Sequence, residues 1–203
     1  MKLNAKELRV SEPKKADIAK IKRRPIYIVC DNILDTYNIG SIFRLADAVA
    51  VSKIYLCGQS ETPPNIKIKR ASVGTDKWVP WEYKKSAVEA IKELRRTCPT
   101  PFVIPAKVGI RKKKILDQVE DDKSREIKVV AIEQHPKAKD FRNINYQPST
   151  MNHEPALAFV IGHETDGVSK EALALCDEIV EIPMFGVNKS LNVMVSLAIV
   201  LFR

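Results

Sequence analysis

Apolar positions along this chain fall into short dense runs separated by longer amphipathic stretches. The runs "IYIVCD" (26–31), "KIYLCG" (53–58), "KVVAIE" (128–133), "ALAFVIG" (156–162) and "EIVEIPM" (178–184) are rich in β-branched and apolar residues, which predicts buried strands. Between them, "NIGSIFRLADAVA" (38–50), "SAVEAIKELRRT" (86–97), "SKEALALC" (169–176) and "SLNVMVSLAIVLF" (190–202) predict helices. This alternation implies an α/β fold, a mostly parallel sheet with helices on both faces. The last helix is apolar on every side from Val193 onward, which fits burial in a core or an interface. Ser190 and Asn192 stand at its head, where polar side chains either cap the helix or touch something else.

A length of 203 residues supports one compact domain. Residues 1–24 read as a basic helical extension and 25–203 as the domain itself. Within it, 98–126 combines prolines, a glycine and a charged run, and reads as a surface insertion. The polar stretch 135–155 is long for a connection in a compact domain, and connections of that length usually carry function.

Charge changes this picture. Lys and Arg number 34 against 25 Asp and Glu, a net charge of +9. Some of the excess is clustered, in "KKADIAKIKRR" near the start, "KIKR" at 67–70 and "RKKK" at 111–114. Such a field favours a polyanion, and RNA or DNA is the usual one. Cys30, Cys57, Cys98 and Cys176 are scattered without a CxxC pair or a nearby His, so reduced thiols in a cytoplasmic protein are expected, with no metal site. No run reaches the length of a membrane-spanning helix, and the first residues lack the apolar core of a secretory signal.

Three segments place unusual residues at predicted strand ends, where α/β proteins build their sites. In the first, Asn38 and Gly40 lie in the turn after strand 26–31, and Arg44 follows one turn into the helix. An Arg there can fork onto a phosphate; equally, Asn38 can cap the helix and Arg44 can pair with Asp47. In the second, Gly162 ends a strand, Glu164 sits in the turn, and Gly167 and Ser169 precede a helix. No GxGxxG and no GxxxxGK[ST] occurs, so dinucleotide and P-loop readings lose their main support. In the third, Ile182, Met184 and Leu191 can wall an apolar slot beside Ser190, the expected cap, and Asn192.

Together the segments resemble the SpoU/TrmH family of RNA ribose 2′-O-methyltransferases, within the SPOUT superfamily. The family's N-x-G-x-x-x-R-x-A stands here as Asn38 to Ala46, its G-x-E-x-x-G-[LV]-S as Gly162 to Ser169, and its I-P-M-x-G-x-x-x-S-L-N-V as Ile182 to Val193. Two positions depart from the family's usual residues: Ala50 replaces a Gly six residues after the motif Arg, and Met194 replaces a common Ser. Ala50 is expected to alter how the first helix ends.

The resemblance implies a sheet whose C-terminal part is threaded into a deep trefoil knot, and a homodimer with shared sites. It implies S-adenosylmethionine bound by loops around Gly162, Ile182 and Leu191, with Met184 nearby and Ile132, Glu133 and Gln134 as a further wall. The implied reaction is methylation of a ribose 2′-hydroxyl in tRNA or rRNA. Arg44 would then hold an RNA phosphate or the developing 2′-oxyanion, because a guanidinium stays protonated and is a poor base. Asn38 and Glu164 would orient Arg44 and the ribose, while Ser190 and Asn192 would fix nearby backbone or substrate. Two alternatives remain open from the sequence: a non-catalytic RNA-binding or ribosome-assembly protein, and an RNA base methyltransferase.

Overall fold

The computed structural model describes residues 2–97, 127–144 and 156–203. The expected insertion at 98–126, with Cys98 and the basic run at 111–114, lies outside the described residues, as do residues 145–155 of the second long connection.

Seven strands form one sheet: β1 (Arg24–Asp31), β2 (Val51–Cys57), β3 (Trp81–Lys84), β4 (Lys128–Ile132), β5 (Lys139–Asp140), β6 (Leu157–Gly162) and β7 (Glu178–Glu181). Their order is β3-β2-β1-β6-β4-β7-β5, and every pairing is parallel. The central strands read as continuous apolar runs because both faces are covered. On one face Ile28, Ile54, Val130 and Phe159 pack with α3 (Thr36–Ala48), α4 (Ile66–Ser72) and α7 (Val193–Leu201). On the other, Val29, Tyr55, Ala131 and Val160 pack with α5 (Ala87–Thr97) and α6 (Lys170–Leu173). Successive residues of one strand thus feed opposite cores, as the period of a strand requires.

The first helix of the domain forms because Ile39, Ile42, Phe43 and Ala46 fall on one stripe and bury, while Asp35 caps the N-terminus by accepting from the Tyr37 N–H at 2.8 Å. Asn38 and Gly40 therefore lie inside α3 and not in a turn before it, because capping by Asp35 starts the helix earlier than expected. A Cβ on Gly40 would sit 2.5 Å from the Ala71 Cβ, so glycine lets α3 and α4 pack backbone to backbone. The helix ends at Ala48, and Ala50 adopts φ 54°, the left-handed conformation that glycine takes without strain.

Three elements were not anticipated. The α4 sequence alternates Ile and Lys and gave no helical period, yet Asn65 caps it by accepting from the Lys67 and Ile68 N–H groups. β3 and β5 are short, and their polar edge-strand sequences carry no apolar run. Conversely, α6 spans four residues where eight were expected, because the chain turns at Ala174 to enter β7.

The N-terminal extension forms two short helices, α1 (Ala5–Val10) and α2 (Lys15–Ala19). It is tied down where the Trp78 Nε1–H donates to Ser11 Oγ at 2.9 Å and the Lys77 ammonium donates to the Ser11 carbonyl at 3.2 Å. Cys30 and Cys57 are buried, which pushes both thiols well up and leaves them unreactive. No helix among the described residues is long and apolar enough to cross a membrane.

Candidate active site

At the carboxyl ends of the central strands lies a cavity of about 430 Å³, bounded by residues after β4, β6 and β7 and by the head of α7. This is where open parallel sheets bind ligands. Ile132, Ile182, Met184 and Leu191 supply apolar wall, Gly162 supplies bare backbone, and Glu133, Glu164, Ser190 and Asn192 supply polar groups. Nine of the expected site residues are thereby brought together; Asn38 and Arg44 do not line the cavity.

Asn38 is nonetheless the hub of its rim. Its amide donates to Glu164 Oε1 at 3.0 Å, and its carbonyl oxygen accepts from Asn192 Nδ2 at 2.9 Å. Glu164 also accepts from the Leu34 and Asp35 N–H groups, at 3.3 and 3.2 Å. One polar chain therefore joins all three motif segments. Burial pushes the Glu164 carboxyl up, but the Asn38 amide and the backbone N–H groups outweigh it, and the net shift is downward.

The turn after β6 is held from three sides. His163 Nδ1 accepts from the Thr165 and Asp166 N–H groups, at 3.0 and 3.1 Å. Glu133 Oε2 accepts from the Val168 N–H at 2.9 Å, so this wall residue spends its carboxylate on the turn. Asp31, 2% exposed, accepts from both the Ser169 N–H (2.9 Å) and hydroxyl (2.6 Å). Sequence reasoning missed Asp31, although an acid closing an apolar strand was the available signal. A Cβ on Gly162 would stand 2.1 Å from the Gly167 carbonyl carbon and from the Val168 nitrogen, so the motif glycine is required by close approach of backbone.

Ser190 does not cap the terminal helix. Asn192 does: its Oδ1 accepts from the Met194 N–H at 2.9 Å, while Ser190 is exposed and precedes the helix by three residues. Asn192 divides its amide between two tasks, cap through oxygen and contact with Asn38 through nitrogen. The 190–202 expectation overshot because only the side chain at the true cap fixes the start.

Arg44 lies six residues beyond Asn38 on α3, about 9 Å along the axis and 240° around it. It is exposed, and its guanidinium has no hydrogen-bond or ion-pair partner among the described residues. Asp47 has Arg23 as its charged neighbour instead. Among the described residues, no group of three or more His, Cys, Asp and Glu is placed to hold a metal.

The chain matches the SpoU rRNA Methylase family over residues 25–103 and 101–202. It is 28% identical over 196 residues to the tRNA (guanosine(18)-2′-O)-methyltransferase of Thermus thermophilus, covering 95% of this chain and 82% of the relative. It is 26% identical over 183 residues to the enzyme of the same name from Escherichia coli, covering 90% of this chain and 64% of that one. The fold is shared with the SpoU methyltransferase AviRb from Streptomyces viridochromogenes, solved with AdoMet, at a TM-score of 0.65 and 24% identity, covering 90% of this chain and 60% of that one. The family match spans nearly all of the domain, and the chain belongs to the SpoU rRNA Methylase family.

Proposed function

We propose that the protein transfers a methyl group from S-adenosylmethionine to a ribose 2′-hydroxyl in tRNA or rRNA. The observation that carries this reading is the Asn192–Asn38–Glu164 chain, which joins three separate motifs on the rim of one cavity.

The cavity fits the cofactor in size, since small-molecule sites run from about 300 to 1,000 Å³, and in chemistry. Its lining contains Glu133, Glu164 and Glu181 and neither Lys nor Arg, which suits a ligand with a sulfonium and an ammonium and disfavours a phosphate. Ile132, Ile182, Met184 and Leu191 would enclose the adenine, and bare backbone at Gly162 would meet the ribose. When bound, the cofactor supplies a methyl group already activated on sulfur.

The protein's share of the reaction is then to position the 2′-oxygen and stabilise its developing charge. Arg44 has a free guanidinium for this, as a fork on a phosphate or on the oxyanion itself. It is exposed and does not line the cavity of its own chain, which supports a homodimer in which Arg44 of one protomer meets the cavity of its partner. Val195 and Phe202 on and after α7, and Tyr37 on α3, are exposed and suited to that contact. Ser190, exposed at the cavity mouth, would hold substrate or backbone. The path of the C-terminal segment supports the knot: it leaves β7, passes the cavity, packs α7 near β6 and ends with Arg203 donating to the Phe141 and Ile144 carbonyls, at 2.7 and 2.6 Å.

Calorimetric titration with S-adenosylmethionine in EDTA tests the cofactor assignment. Binding at one site per chain is expected; loss of binding with chelator would show that the site is built around a metal.

A further inference from the structure

A second cavity of about 450 Å³ opens between the β5–β7 edge and α6, lined by His135, Lys137, Lys139, Lys170, Asp177 and Glu178 among others. Its two acids are already engaged. Asp177 accepts from Arg95 Nη2 at 2.7 Å and from the Val129 N–H at 2.7 Å. Glu178 pairs with Lys128 at 2.6 Å and with Lys139 at 3.0 Å. Lys137 and Lys170 are exposed, and their ammonium groups have no hydrogen-bond or ion-pair partner among the described residues. His135 Nδ1 accepts from the Lys137 N–H at 3.1 Å, which leaves Nε2 as the proton-bearing nitrogen of the neutral ring, a further donor.

This cleft has the charge character that the first cavity lacks, and the two are contiguous along the chain. Gln134 lines the first cavity and His135 the second, while Gly167 lines the first and Lys170 the second. Three residues of extended chain reach only about 10 Å, the span of one or two nucleotides. A carboxylate-lined cavity for the cofactor thus sits beside a cation-lined cleft with unspent donors.

We infer that the cleft is a phosphodiester subsite, in which Lys137 and Lys170 hold the backbone of the RNA strand next to the nucleotide being methylated. The inference rests on the methyltransferase reading above and adds the surface that seats the strand. Because the contacts are to phosphate, they contribute affinity and register and not base identity. Neutralising phosphates releases counterions, so each lost contact lowers the salt dependence of binding by a predictable step.

The test compares wild type with the Lys137→Ala/Lys170→Ala double variant, and with Lys85→Ala/Lys92→Ala as a control of equal net charge. RNA affinity is measured by fluorescence anisotropy across a salt series on an RNA that wild type methylates, with S-adenosylmethionine affinity measured alongside. The cleft variant is expected to bind RNA on the order of 10-fold more weakly. Its slope of log K against log salt should fall by about 1.4, from roughly 0.7 per phosphate contact on a single strand. Cofactor affinity should be unchanged, and the control should match wild type. An unchanged slope in the cleft variant, with wild type binding and methylating RNA, overturns the subsite and leaves the functional reading standing. Saturable binding of inorganic phosphate that the cleft variant loses, without a change in the RNA slope, marks a small-anion site and also overturns it. A wild type that binds S-adenosylmethionine but neither binds nor methylates RNA overturns both.

Discussion

Asn38 and Glu164 are 126 residues apart in sequence and joined by a hydrogen bond of 3.0 Å, with the Glu164 carboxylate receiving the Asn38 amide and two backbone N–H groups of the loop before α3. An ionised carboxylate only accepts, so every donor around it is satisfied. Protonation would turn one oxygen into a donor facing donors. The carboxyl is held below its ordinary 4.5, so the contribution of this contact is complete above that value and is lost as pH falls through the depressed one. Cofactor affinity measured from pH 7 down to 3 should decline only below the ordinary carboxylate range, and Glu164→Gln should already be weakened at pH 7. A Glu164→Gln variant with wild-type affinity throughout would remove the network from the account.

Asn38→Ala is expected to lower kcat/KM by about 10- to 100-fold, because misplacing reacting groups by even an ångström is that costly. The loss reaches both partners of the amide, Glu164 and Asn192. Circular dichroism should show the helices retained, since Asp35 and not Asn38 caps α3. Wild-type turnover in this variant would contradict the positioning role.

Arg44→Ala should reduce methyl transfer by about 10²- to 10³-fold, the usual effect of removing one preorganised donor. Cofactor affinity should hold, because Arg44 lines no part of its own chain's cavity and is assigned to the RNA and not to the cofactor. Arg44→Lys should restore little, since an ammonium lacks the planar two-donor geometry. Single-turnover transfer and a separate binding titration on the same preparations check both halves.

Much of this was legible from the chain, for identifiable reasons. Central strands announce themselves because both faces are buried, and nine of the expected residues line one cavity because their segments lie at or beyond strand ends. The elements that escaped detection depend on partners distant in sequence. The α4 sequence alternates like a strand and is helical because Asn65 caps it and Gly40 lets it approach α3. The true cap of the last helix could not be chosen between Ser190 and Asn192 by type alone, as both are good caps. What distinguishes them is that the Asn192 side-chain oxygen accepts from the Met194 N–H while its nitrogen is held by Asn38. Asp31 went unnoticed because its partner, Ser169, lies 138 residues away.

Ala50→Gly should stabilise the protein by about 0.5–1 kcal/mol. A non-glycine residue in the left-handed region costs roughly 1–2 kcal/mol, partly offset by the greater freedom of glycine in the unfolded chain. The conformation is fixed by the Arg24 N–H donating to the Ala50 carbonyl at 2.8 Å and the Ala50 N–H donating to Asp47 at 3.0 Å. Urea denaturation at constant m value measures the difference. A destabilised Ala50→Gly would mean that the methyl group packs better than its backbone is strained.

If the exposed apolar side chains of α7 and α3 meet a second copy, light scattering at micromolar concentration should report twice the 22.9 kDa of one chain. Phe202→Glu should shift the population to monomer and depress methyl transfer with it. A wild type that remains at 22.9 kDa would contradict a site completed across two protomers.

The most direct test of the central claim is to incubate the protein with labelled S-adenosylmethionine and RNA from cells lacking its gene, then identify the product by nuclease P1 digestion and mass spectrometry. The account predicts label on a ribose, at a nucleotide whose phosphodiester bond has become resistant to alkaline cleavage. Label on a base, or none on RNA that the cofactor-loaded protein binds, would contradict it.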